Sequence, residues 1–105
     1  MTIEKRYTVK VTDRAKFMLG RHVNFISRVS AKAAKDTQNE IMRAMRSLTY
    51  MPERFPYIDD ESVIPNKYHK MSIAKWYAVI YEIIDDKVFV EYIVDCRQDY
   101  GWLLQ

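Results

Sequence analysis

The 105-residue chain holds one cysteine, two glycines, three prolines and two histidines. A single thiol, Cys96, cannot close an internal disulfide, and one Cys with two His is too small a donor set for a structural zinc site. No apolar run approaches the ~20 residues of a membrane span. Met1-Thr-Ile-Glu-Lys-Arg-Tyr does not read as a signal peptide. The expected setting is the cytoplasm, with no cofactor, no metal and no membrane contact. Few glycines and prolines also argue against a loop-rich fold. What the chain has instead is 49% hydrophobic residues and 13% aromatics, enough to build a core. Its length allows one domain over residues 1–105.

Charge is unevenly placed. Residues 1–48 carry a balance of +7 and residues 49–105 a balance of −4, within a net +3. Such asymmetry suits a polyanionic or acidic partner. A solvated helix face would produce the same asymmetry.

Residues 3–11 alternate apolar and charged, with Tyr7, Val9 and Val11 on one side, and predict a strand. Thr12 or Asp13 can cap a helix in which Ala15, Met18, Leu19, His22, Val23, Phe25, Ile26 and Val29 recur at helical spacing. A second helix follows, with Ala34, Ile41, Met45 and Leu48 inward and Lys35, Asn39 and Arg46 outward; Ser30 is the candidate cap between the two. Pro52, Pro56 and Pro65 mark residues 49–66 as loop. Three strands are expected over 67–73, 76–84 and 88–94, the last two forming a hairpin around Asp85-Asp86-Lys87. The predicted fold is α+β, a β-α-α-β-β-β two-layer sandwich with the N-terminal strand and the helical hairpin packed on an antiparallel sheet.

Particular residues narrow this further. They are Tyr7-Thr-Val-Lys-Val-Thr, Ala15, Leu48, Pro52 with Phe55-Pro56, the stretch from Trp76 to Val90, and the ending Cys96-Arg-Gln-Asp-Tyr with Leu103-Leu104. In this order and spacing the chain resembles the RelE/ParE superfamily, the toxins of type II toxin–antitoxin pairs and plasmid-stabilisation systems. The likeness spans nearly the whole chain. It implies a cognate antitoxin protein as partner and one of two activities. One is metal-independent endoribonuclease cleavage of mRNA on the ribosome. The other is inhibition of DNA gyrase without cleavage.

Metal-free RNA cleavage needs proton transfer at the 2′- and 5′-oxygens and cations at the phosphate. Candidate catalytic groups are Lys70, Lys75, Arg97, Tyr100, His69 and Asp99, with Lys67 and the helix cations Lys16, Arg28, Lys32, Lys35, Arg43 and Arg46 as RNA-binding candidates. Each has a plain structural alternative. The lysines of 66–75 can solubilise an edge strand. By a period of two, His69 points with Met71 and Ile73 and can be packed; His22 lies on the apolar stripe of the first helix. Asp99 can pair with Arg97 while Tyr100 covers the sheet. The ribonucleases of this superfamily carry an arginine on the central strand in a Tyr-Arg-x-x-Tyr pattern, where this chain has Tyr77-Ala78-Val79-Ile80-Tyr81. The leading expectation is a ribosome-dependent mRNA endonuclease toxin. The alternatives are a gyrase inhibitor, favoured by Ala78, and a toxin fold that only binds its antitoxin.

Overall fold

A computed structural model describes residues 5–97. The element order is β1 (Thr8–Val11), α1 (Asp13–Ser27), α2 (Ala31–Ser47), a 3-10 turn (Pro52–Arg54), β2 (His69–Ile73), β3 (Tyr77–Ile84) and β4 (Lys87–Asp95). Both expected caps form. The Thr12 side chain accepts from the Ala15 amide, and the Ser30 side chain accepts from that of Ala33, each at 3.1 Å. Ser30 is what splits the long helical pattern into a hairpin, since no glycine or proline does so.

The strands lie in the order β1-β4-β3-β2. Pairing is antiparallel within β2–β3–β4, but β1 runs parallel to β4, with Val9 opposite Val88. The expected α+β sandwich is found, an antiparallel sheet of the last three strands that the N-terminal strand joins as a parallel edge. The helical hairpin returns the chain over the sheet, so the first strand arrives beside the last in the same direction. The β3–β4 hairpin turns on Asp85-Asp86, with Asp85 at φ 56°, and Lys87 already belongs to β4.

The sheet has two apolar faces. The helices cover one, where Ala15, Ile41, Met45 and Leu48 pack on Val79, Tyr81, Val88, Val90 and Ile93. On the other face Ala78, Ile80, Tyr92 and Val94 are covered by Ile58 and Val63 of the loop that follows the 3-10 turn. This explains why β3 reads as almost continuously apolar: five successive residues, Tyr77 to Tyr81, are buried. A register shift between Ile80 and Tyr81 accommodates an extra residue on β4. There Arg14 forms an ion pair with Glu91 at 2.8 Å and lies 4.1 Å from the centre of the Tyr92 ring, fastening the start of α1 to the sheet.

The first helix differs from its pattern at one end. Phe25 and Val29 share the apolar spacing but are 65% and 89% exposed. Phe25 lies roughly 80° around the helix from Ala15, off the buried stripe, and Val29 falls beyond the last helical residue.

Candidate functional site

Among the described residues, Lys75 and Arg97 meet at the Trp76 ring, while His69 and Lys70 lie apart from each other on β2. Lys70 is opposite Ile80 in the β2–β3 ladder, so it belongs to the sheet face away from the helices, beside a cleft lined also by Tyr57, Asp59 and Asp60. Lys75 is in the β2–β3 turn at φ 66°, exposed, with Nζ 4.8 Å from the Trp76 ring centre. Arg97 follows β4; its Nε donates to Asp95 Oδ1 at 2.8 Å and its Nη2 to Oδ2, and its guanidinium lies 5.1 Å from the Trp76 ring. That bidentate pairing holds the Asp95 carboxyl below its ordinary value. Lys67, before β2, stands 5.2 Å from the Tyr68 ring. Asp99 and Tyr100 lie outside the described residues.

His69 occupies a packed position. It is 4% exposed and stacks on Tyr57 and Tyr81, with ring centres 4.2 and 5.2 Å away. Its Nδ1 is 2.7 Å from the Phe55 carbonyl, to which it donates. Beneath it the Tyr81 hydroxyl donates to the Pro52 carbonyl at 2.5 Å, and burial pushes the Tyr81 phenol well above its ordinary value. The geometry is that of a fastener between the proline-bearing loop and the sheet edge, with no open side for a substrate.

The helix cations fall into two groups. Lys32, Lys35, Arg43 and Arg46 lie within roughly 80° of arc on α2 and form one exposed ridge about 20 Å long. Lys32 is paired with Asp36 at 2.9 Å. On α1, Lys16 and Arg28 are exposed but stand about 120° apart around the helix and share no face with each other. The ridge and Lys70 face opposite sides of the molecule.

The structure brings together a set of residues that sequence reasoning did not group. Where α1 meets the ends of β3 and β4, Met18, Arg21, His22, Phe25, Tyr77, Asp95 and Arg97 line a cleft of about 440 Å³. His22 donates from Nε2 to the Ile93 carbonyl at 2.7 Å, and its ring lies 5.0 Å from that of Tyr77. The only signals in the sequence were the position of His22 on the apolar stripe and the Lys75-Trp76 pair at a strand start. Among the described residues no cluster of three or more His, Cys, Asp or Glu could hold a metal ion. Nor is any described helix long and apolar enough to cross a membrane.

No family model matches the sequence, and no curated protein matches it. Among solved structures the fold is found again in a chain of the chromosomal ParDE TA system from P. aeruginosa. The two agree with a TM-score of 0.71 at 12% identity, over 87% of this chain and 97% of that one. At that identity the likeness establishes a shared fold.

Proposed function

We propose that this protein is the toxin component of a type II toxin–antitoxin pair that acts by binding its target, in the manner of a ParE-like gyrase inhibitor, rather than by cutting RNA. The fold it shares with a ParDE chain supports the toxin–antitoxin reading. The observation that carries the choice of mechanism is Ala78. This is the position at which the ribonucleases of the superfamily carry an arginine. Here it is 0% exposed, with Ile58 and Val63 packed over the same face. A phosphate cannot reach it. His69 is packed between two rings and Arg97 is neutralised by Asp95, so two further catalytic candidates already have structural work. A binding mechanism asks only for a shaped, charged surface, and the protein has several. The partner that neutralises it is a cognate antitoxin, whose acidic segments would complement the basic first half of the chain.

The ridge Lys32-Lys35-Arg43-Arg46 favours a second reading, contact with ribosomal RNA by a ribosome-dependent mRNA endonuclease. One experiment separates the two. The chain is expressed under an inducible promoter in bacteria, with primer extension on an abundant mRNA and a DNA-damage reporter in the same cells. Growth arrest with intact mRNA and an induced damage response supports binding to gyrase. Cleavage inside translated codons supports the endonuclease. Neither arrest nor cleavage removes the toxin reading.

A further inference from the structure

The cleft between α1 and the ends of β3 and β4 continues into a second of about 320 Å³, and Phe25, Tyr77 and Arg97 line both. The walls of the second are Ile26, Val29, Ala33, Ala74 and Trp76. Three large apolar side chains stand out of this surface: Phe25 at 65% exposure, Val29 at 89% and Trp76 at 43%. Leaving aromatic rings in water forgoes a large burial term, and Trp, Phe and Arg around a concavity are the residue types that anchor protein–protein contacts.

Among the described residues around it, the charge left without an ion pair is positive. Asp95, the one acid among the described residues that line either cleft, has both carboxylate oxygens engaged by Arg97. Arg21 has no hydrogen-bond or ion-pair partner among the described residues, and Lys75 stands beside Trp76. His22 adds a polar atom. Its Nε2 is committed to Ile93, and no buried side-chain nitrogen among the described residues lacks a partner, so Nδ1 opens towards solvent.

We infer that this double cleft is a docking site for an acidic protein segment, one that inserts an apolar side chain between Phe25 and Trp76 and places carboxylates against Arg21 and Lys75. A second copy of this chain fits badly, because face-to-face packing would bring the Arg21 side chains together. Nucleic acid fits badly as well, since the walls are mostly apolar and the densest row of cations is elsewhere, on α2. The inference is independent of the toxin reading, as it requires only a partner of this chemistry.

The test uses the full chain, isotopically labelled, titrated with a short synthetic peptide of alternating leucine and glutamate and followed by NMR. The expected result is a set of shifts at Arg21, Phe25, Val29 and Trp76. Affinity should fall about tenfold in Phe25→Ala or Trp76→Ala, and it should weaken with added salt. The exposed Phe25 makes its variant a safe test of binding, and circular dichroism checks that both variants fold. Equal binding of a peptide with lysine for glutamate would overturn the inference, as would shifts confined to other surfaces. Displacement of the peptide by a single-stranded oligonucleotide would reassign the site to nucleic acid. Dilution-dependent shifts in the free protein would assign it to a second copy, and contacts from residues 98–105 to the chain itself; each of these outcomes overturns it.

Discussion

Ala78→Arg, which introduces the arginine of the ribonuclease pattern that the chain resembles, tests whether the outer face of the sheet is a core or an open floor. Two routes are open to the new side chain. If the loop stays down, a guanidinium is buried among Ile58, Val63, Ile80, Tyr92 and Val94, which costs several kcal/mol without a paired carboxylate. If the loop lifts, Ile58 and Val63, now 7% and 5% exposed, return to water at about 1.5 kcal/mol each. The cheaper route sets the cost at about 3 kcal/mol, a large share of a marginal total. For a domain of this size that lowers the melting temperature by roughly 12 °C. Circular dichroism melts of wild type and variant measure it. The loop-lifting route makes a second demand: in an Ile58→Ser background, where the loop is already loosened, the arginine should cost less than it does alone. A variant that melts within ~2 °C of wild type, or that gains mRNA cleavage on expression, would refute the view that this face is closed.

Four other outcomes follow from single contacts. Tyr81→Phe leaves the Pro52 carbonyl without its hydrogen bond and should cost about 1–2 kcal/mol in urea unfolding. Ser30→Ala removes the cap that divides the two helices and should cost about 1 kcal/mol in the same assay. Gly20 sits within α1 with nothing within 4 Å of an added Cβ, so Gly20→Ala should stabilise by about 0.5–1 kcal/mol. Burial raises the phenols of Tyr77, Tyr81 and Tyr92 above their ordinary 10.0. Groups with raised values support the fold below the unfolded value and lose that support as pH climbs past it, so the melting temperature should fall above pH 10, less steeply in Tyr81→Phe.

Much of the fold was legible because periodicity and capping agreed along the chain. Ala34, Ile41, Met45 and Leu48 were placed inward at helical spacing and are all buried. Thr12 and Ser30 cap as their chemistry predicts. The parallel partner of β1 was not legible, because local alternation states which side of a strand is apolar and nothing about its neighbour. Nor was the exposure of Phe25, whose spacing satisfied the helical period while its angle put it at the margin of the stripe.

The site was harder to read for a physical reason. A cation in a sequence carries no direction, and the sheet sorts neighbours onto opposite faces. Lys70 and His69 are adjacent, yet the lysine belongs to the face away from the helices while the histidine is packed between Tyr57 and Tyr81. The strand and the turn thus separate the lysines of the basic segment, and the turn at Ala74-Lys75 places the third beside Trp76. Ala78 behaves in the opposite way. As a missing charge it looked like a defect in a catalytic set. As a 0% exposed methyl under Ile58 and Val63 it is part of a second core. Filling that face fixes the loop over the sheet and gives β3 its apolar run on both sides. Among the described residues, Phe25, Val29 and Trp76 stay exposed beside α1 and the start of β3, which is where we place a partner.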